Sequence, residues 1–133
     1  MARSLVPRYF LTTSAYTIGV VLLFLSFTPL SVKTPIQLGF GIDKFAHTSV
    51  YFIFSLVLDL ALSIDWQINK SEKKTVIVAF FYGLMIEVIQ GIGLIFRSFE
   101  LNDLLANSIG ILFFLVLGKT IKKIVVKSGI FIN

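Results

Sequence analysis

Residues 9–28 read YFLTTSAYTIGVVLLFLSFT, and no charged side chain interrupts them. About 20 apolar residues in an α-helix cross the roughly 30 Å hydrocarbon core of a bilayer. The run is followed by Pro29, which suits the end of a helix. We therefore expect a transmembrane helix here. A cleaved signal peptide is the alternative, because Arg3 and Arg8 precede the run, but the run is too long and lacks a small-residue cleavage site.

The rest of the chain is built in the same way. Hydrophobic residues make up 56% of the 133 residues, including 14 Phe, which lies outside the range of soluble globular proteins. Further apolar runs lie at about 43–64, 75–96 and 104–119, and the IKKIVVK segment after the last could continue it as a surface helix. None of them alternates with a period of two, and short polar linkers join them. We predict an all-α membrane protein, with residues 1–133 forming a single domain and four transmembrane helices packed as an antiparallel bundle.

The distribution of basic residues predicts the orientation of this bundle. Lysine and arginine are enriched on the cytoplasmic side of bacterial membrane proteins. Nine of the 12 basic residues fall in the N-terminus, the second-to-third loop and the C-terminal tail: Arg3, Arg8, Lys70, Lys73, Lys74, Lys119, Lys122, Lys123 and Lys127. Both termini are therefore predicted to be cytoplasmic. The net charge of +5 then reflects topology and contact of the tail with anionic lipid, and no nucleic-acid partner is expected. Asp59, near the inner surface, is expected to pair with a lysine of that side.

Polar side chains form a stripe on the second helix. Asp43, His47 and Tyr51 are spaced four residues apart and fall on one face, with Lys44 at its margin. The fourth helix has a comparable stripe at its own start, where Asp103 and Asn107 share one face.

The third helix carries Glu87, Gln90 and Arg97 toward its end. Helices two and four begin at the outer surface and helix three ends there, so the three stripes are expected to meet in one outward-facing cavity. Glu87 has the strongest claim to function, because a carboxylate facing lipid at its depth would cost several kcal/mol. The predicted ligand-binding residues of this cavity are Asp43, Lys44, His47, Tyr51, Glu87, Gln90, Arg97, Asp103 and Asn107.

Other roles are open for most of these residues. Asp43 and Asp103 stand at helix starts, where a carboxylate can cap backbone N–H groups. Gln90 and Asn107 could be interhelical hydrogen-bond partners. Glu100 is interpreted as a solvated loop residue. Lys44 and Arg97 could extend to the lipid headgroups, and His47 could be a bundle histidine without a ligand.

The charges of the predicted cavity do not balance. Asp43, Glu87, Glu100 and Asp103 face only Lys44 and Arg97, which leaves two negative charges uncompensated. Such a cavity would need a protonated carboxyl, a bound cation or a cationic ligand.

Two polar signatures resemble those of the VanZ-like family of small bacterial membrane proteins. They are DKFAHTSVY at 43–51 and E-x2-Q-x6-R-x2-E-x2-D-x3-N-x2-G at 87–110. The resemblance covers all four spans and implies a multi-pass inner-membrane protein. The family is named for a member associated with low-level resistance to the glycopeptide teicoplanin. Its polar set, carried over by position, is Asp43, Lys44, His47, Tyr51, Glu87, Gln90, Arg97, Asp103, Asn107 and Gly110. Phe114 departs from the pattern, since a second glycine often stands there.

Four functions are compatible with this pattern. The favoured one is a binding or envelope-protection protein whose cavity engages a glycopeptide, a lipid headgroup or a cell-wall precursor. The main alternative is a membrane enzyme acting on a lipid or lipid-linked substrate, with His47, Glu87 and Asp103 as catalytic candidates for acid–base or metal chemistry. A small proton-coupled transporter and a purely structural polar network are the others. Because the chain has one histidine, no cysteine and no H-E-x2-H motif, neither a metal nor another cofactor is expected.

Overall fold

The computed structural model describes residues 7, 9–27, 42–92 and 99–129. Every regular element in these ranges is helical, and each of the four long helices is apolar enough to cross a membrane. This confirms the prediction of an all-helical protein with four membrane-spanning helices. The helices are α1 (Phe10–Phe27), α2 (Ile42–Leu60), α3 (Ser71–Gly91) and α4 (Leu101–Lys127), and a π-helical turn (Ala61–Asp65) extends α2.

The third helix begins four residues earlier than predicted, and residues 93–96 at its predicted end lie outside the described residues. Helix α3 begins at Ser71 instead of 75, and the structure describes it to Gly91. Ser71 is buried at 3% exposure and donates a 2.5 Å hydrogen bond to the Asp59 carboxylate, so the polar first turn is part of the packed helix. Arg97, predicted to lie on this helix, is outside the described residues.

The fourth helix includes the predicted span and its suggested extension. Helix α4 begins at Leu101 instead of 104 and continues through Lys127, so the IKKIVVK segment continues the helix as the sequence suggested. Its 27 residues measure about 40 Å at 1.5 Å per residue, which exceeds a hydrocarbon core of roughly 30 Å. The lysine-rich last turns therefore have the length to extend into the headgroup region.

Successive helices run in opposite directions, and α2 and α4, which run in the same direction, pack most extensively against each other. Gly110 of α4 makes this approach possible. A Cβ atom at Gly110 would meet the carbonyl oxygen of Thr48 and lie 3.0 Å from the Phe52 nitrogen, both in the α2 backbone. Small residues at such crossings let helices in a membrane approach closely.

Phe114, the departure from the family's glycine pattern, is accommodated within its own helix. Its side chain is 1% exposed. A Cβ atom at Gly118, one turn later, would lie 2.6 Å from the Phe114 ring. The glycine at 118 therefore provides the space that the aromatic ring occupies.

Through hydrogen bonds, the π-helical turn at the end of α2 contacts the start of α1. Such turns change the direction of the side chains that follow them. Asp65, at the end of the turn, accepts hydrogen bonds from the backbone nitrogen of Thr12 at 2.8 Å and from its hydroxyl at 2.7 Å. It therefore satisfies a backbone N–H group in the first turn of α1, which has no partner within the helix.

Charges of opposite sign collect at the two ends of the bundle. The acidic end holds Asp43, Glu100 and Asp103, and the basic end holds Lys70, Lys73, Lys74, Lys119, Lys122, Lys123 and Lys127. At the basic end, the fully buried Asp59 accepts a hydrogen bond from Lys122 at 3.0 Å. The prediction that Asp59 pairs with a lysine is confirmed.

Candidate functional site

Lys44 is the centre of a charged cluster at the acidic end. Its ammonium group donates hydrogen bonds to Asp43 at 3.1 Å, to Glu100 at 3.2 Å and to Asp103. The side chains of Lys44 and Asp103 are each 15% exposed, whereas that of Asp43 is 70% exposed. The first turns of α2 and α4 are therefore joined by an ion cluster that is largely shielded from solvent at its centre.

His47 lies one turn further along α2 and contacts the same carboxylates. Its Nδ1 is 3.0 Å from the side-chain oxygen of Asn107, and its Nε2 is 3.6 Å from Asp103 and 3.8 Å from Asp43. Because an amide oxygen only accepts, the network assigns the Nδ1 proton to this contact. Nε2 then faces two carboxylates, an arrangement that a proton or another cation between them stabilises. We call Asp43, Lys44, His47, Glu100, Asp103 and Asn107 the acidic site.

Within the described residues, the acidic site carries an excess of negative charge. Asp43, Glu100 and Asp103 contribute three negative charges, and Lys44 is the one ammonium hydrogen-bonded to them among the described residues. With His47 neutral, two negative charges remain. One ligand atom each from Asp43, His47 and Asp103 lie within 4.8 Å of one another, close enough for a single cation to contact all three. The predicted excess of two thus reappears in a set that includes neither Glu87 nor Arg97.

Glu87 lies next to the acidic site and is hydrogen-bonded to the backbone of Glu100. It is 1% exposed, and its carboxylate accepts a 3.2 Å hydrogen bond from the backbone nitrogen of Glu100. Glu100 is the extended residue that precedes the first turn of α4. Glu87 therefore holds the start of α4 in place, and its negative charge suits the positive end of that helix. Direct contact of Glu87 with a ligand stays a prediction.

Glu100 is an exposed residue outside the helices, as the sequence suggested, but it also makes structural contacts. It precedes α4, its backbone nitrogen binds Glu87 and its side chain binds Lys44. Asp103, in the first turn of α4, likewise does more than favour the helix dipole, because its two oxygens face Lys44 and His47. Both residues therefore belong to the cluster.

Gln90 points away from the acidic site. It is 5% exposed and donates a 2.8 Å hydrogen bond to the carbonyl oxygen of Ser26 in the last turn of α1. This bond links α3 to the last turn of α1. The interhelical alternative for Gln90 is confirmed.

A cleft of about 180 Å³ opens beside the acidic site, between the last turns of α1 and the first turns of α2. We call it the α1–α2 cleft. Asp43 and His47 form its polar wall, Tyr51 also borders it, and its apolar wall includes Leu22, Leu25 and Val50. The α1 residues were missed by sequence reasoning, because α1 carries no charged side chain and no face of it is distinctly polar.

The predicted cavity residues thus separate into groups. Asp43, Lys44, His47, Asp103 and Asn107 come together, and Tyr51 joins them along the cleft. Glu87 and Gln90 hold neighbouring helices in place. Arg97 lies outside the described residues.

Comparison with known proteins gives one family match. No curated protein and no solved structure matches the chain. The model of the VanZ/LLP1 family matches residues 3–122, a range that includes the whole acidic site and all but the last turn of α4. Together with four helices that can cross a membrane, the match identifies a multi-pass membrane protein of the VanZ type. The chain belongs to the VanZ/LLP1 family.

Proposed function

We propose that this protein binds a cell-envelope amphiphile by a cationic group at the acidic site. The observation that carries the proposal is the excess of negative charge around Lys44 among the described residues, which is two with His47 neutral. The central groups are shielded from solvent, and shielding strengthens electrostatic interactions. An incoming amine would compensate this charge while Asp43, which is exposed, remains accessible to it.

The α1–α2 cleft supports an amphiphilic ligand. Its polar wall, Asp43 and His47, belongs to the acidic site, and its apolar wall is continuous with it. A headgroup amine at Asp43 would place an attached apolar segment against Leu22, Leu25 and Val50. Burial of that segment adds a favourable term of about 25 cal/mol per Å² of apolar surface.

The family resemblance and the charge distribution narrow the ligand class. Under the predicted topology, in the bacterial inner membrane with cytoplasmic termini, the acidic site faces outward. Glycopeptides such as teicoplanin, aminated lipid headgroups and cell-wall precursors are then within reach. Among these molecules, the proposed ligands are those that carry an amine attached to an apolar or bulky group.

One observation favours a second candidate, a membrane enzyme. His47 Nε2 lies beside Asp103, and the other ring nitrogen is held by Asn107. A histidine oriented in this way can serve as a general base. Glu87, at 1% exposure, is less suited to direct proton transfer with a substrate.

Native mass spectrometry of the full chain, extracted in mild detergent, separates these functions. The wild type is expected to retain an amine-bearing envelope molecule that Asp43→Asn loses. Lys74→Gln is the control, because it removes one exposed charge at the basic end, outside the acidic site. Equal retention by all three proteins would reject the proposal. Chemical conversion of an added lipid-linked phosphate, abolished in His47→Ala, would favour the enzyme instead.

A metal-binding measurement tests whether the cation at the acidic site is an amine or a metal ion. Zn²⁺ or Mn²⁺ is added to the protein after treatment with a chelator. If the amine proposal is right, neither metal should bind with a stoichiometry near one that depends on His47 and Asp103. Such binding would assign the charge compensation to a metal ion and contradict the proposed amine.

A further inference from the structure

A second feature of the bundle lies at the basic end, away from the acidic site. A cavity of about 400 Å³ opens between the first turn of α3 and the last turns of α4. It is lined by Glu72, Lys119, Lys122, Lys123, Val126 and Lys127. We call it the lysine pocket. We propose that the lysine pocket binds the headgroup phosphate of an anionic phospholipid.

One lysine of the pocket is fixed by the protein itself. Lys122 donates hydrogen bonds to the buried Asp59 and to Ser71, each at 3.0 Å. Its charge is therefore compensated from within the bundle, and these bonds hold its side chain in one position in the lining of the lysine pocket. Lys119 has a weaker partner, since its ammonium lies 3.6 Å from the Glu72 carboxylate and is 67% exposed.

The other two lysines are available to a ligand. Lys123 and Lys127 are exposed, and neither makes an ion pair within the part of the chain that the structure describes. Together with Lys119 they are spaced four residues apart, so the three follow one face of α4. When Asp59 and Glu72 are counted against the four lysines, two positive charges remain. This excess matches an anion.

The position of the pocket favours a lipid over a soluble anion. Helix α4 is longer than the hydrocarbon core, so its last turns have the length to reach the depth of the headgroups. Val126 in the pocket and Ile124 beside it, 63% exposed, offer apolar surface next to the lysines. A phosphate among Lys119, Lys123 and Lys127 would leave its acyl chains beside the exposed apolar face of α4. Basic pockets between helices at the membrane surface bind phospholipid headgroups in this way.

The test is native mass spectrometry of the detergent-solubilised full chain, titrated with phosphatidylglycerol or with phosphatidylcholine of the same acyl chains. The wild type should bind phosphatidylglycerol more tightly. Lys123→Gln/Lys127→Gln should weaken that binding roughly 30-fold, at about a factor of five per lysine near a membrane surface. Lys73→Gln/Lys74→Gln is the matched control, because it removes two exposed lysines at the same end, outside the pocket.

Each other outcome contradicts the proposal. An equal loss in both double variants would mean diffuse attraction to the basic end, and no loss in the pocket variant would mean that the lysines do not bind lipid. Displacement of phosphatidylglycerol by millimolar inorganic phosphate, with the same dependence on Lys123 and Lys127, would identify a site for a free anion. Circular dichroism of both variants confirms that they are folded.

Discussion

Lys44 and Asp103 form the central pair of the acidic site. Both side chains are 15% exposed, and hydrogen bonds to charged groups contribute about 1.5–3 kcal/mol. A double-mutant cycle with Lys44→Met and Asp103→Asn should therefore give a coupling energy of about 1.5 kcal/mol or more in the free energy of unfolding in SDS. Additive effects of the two substitutions would contradict a direct pair.

A buried threonine and a partly buried one should respond in opposite ways to the same substitution. The Thr75 hydroxyl is fully buried and has no hydrogen-bond partner within the described part of the chain, whereas Thr48 donates to the Ala106 carbonyl at 3.1 Å. Removing a buried hydroxyl that lacks a partner relieves its desolvation cost, and removing a bonded one loses the bond. Thr75→Val should raise the melting temperature in detergent and Thr48→Val should lower it, each by about 1 kcal/mol in stability. A shift of the same sign in both would contradict this assignment.

Glu87 shows where residue-level prediction from the sequence stops. Spacing and depth predicted a buried carboxylate that faces inward, and the structure agrees at 1% exposure. Its partner is the backbone nitrogen of Glu100, which no side-chain pattern reveals. The cluster of Asp43, His47 and Asp103 was predictable, because the four-residue period places such residues on facing stripes.

At the level of elements, hydropathy locates the spans but not their ends. The first turn of α3 is polar, yet it is helical because Ser71 and Asp59 bond across the bundle. The last turns of α4 carry lysines, and they continue the helix because lysine is a good helix former that extends toward water. Such ends depend on tertiary contacts and on the membrane boundary, which a hydropathy average does not report.

The close approach of α2 and α4 is tested by one added methyl group. A Cβ atom at Gly110 would meet the α2 backbone, whereas at Gly19 its nearest neighbour would lie 3.7 Å away. Gly110→Ala should cost about 1–3 kcal/mol in the free energy of unfolding, because backbone atoms must move, and Gly19→Ala should have little effect. Equal effects of the two substitutions would show that Gly110 does not set the α2–α4 distance.

For the whole molecule, the asymmetry of charge predicts one orientation. The chain has no cysteine, so single cysteines report cleanly. Asn102→Cys, exposed at the acidic end, should react with an impermeant thiol reagent in intact cells, and Asn69→Cys, exposed at the basic end, should react only after lysis. The reverse pattern would place the acidic site in the cytoplasm and remove envelope ligands from its reach.

The two ends of the bundle are proposed to bind opposite charges, and the acidic site is the more demanding case. The most direct measurement compares lysyl-phosphatidylglycerol, whose headgroup carries amines, with phosphatidylglycerol of the same acyl chains, by titration in native mass spectrometry. Asp43→Asn should weaken binding of the lysyl lipid about tenfold or more, as for loss of a charge-assisted hydrogen bond, and should leave phosphatidylglycerol binding unchanged. Equal affinities of the wild type and Asp43→Asn for the lysyl lipid would contradict a cation-binding acidic site.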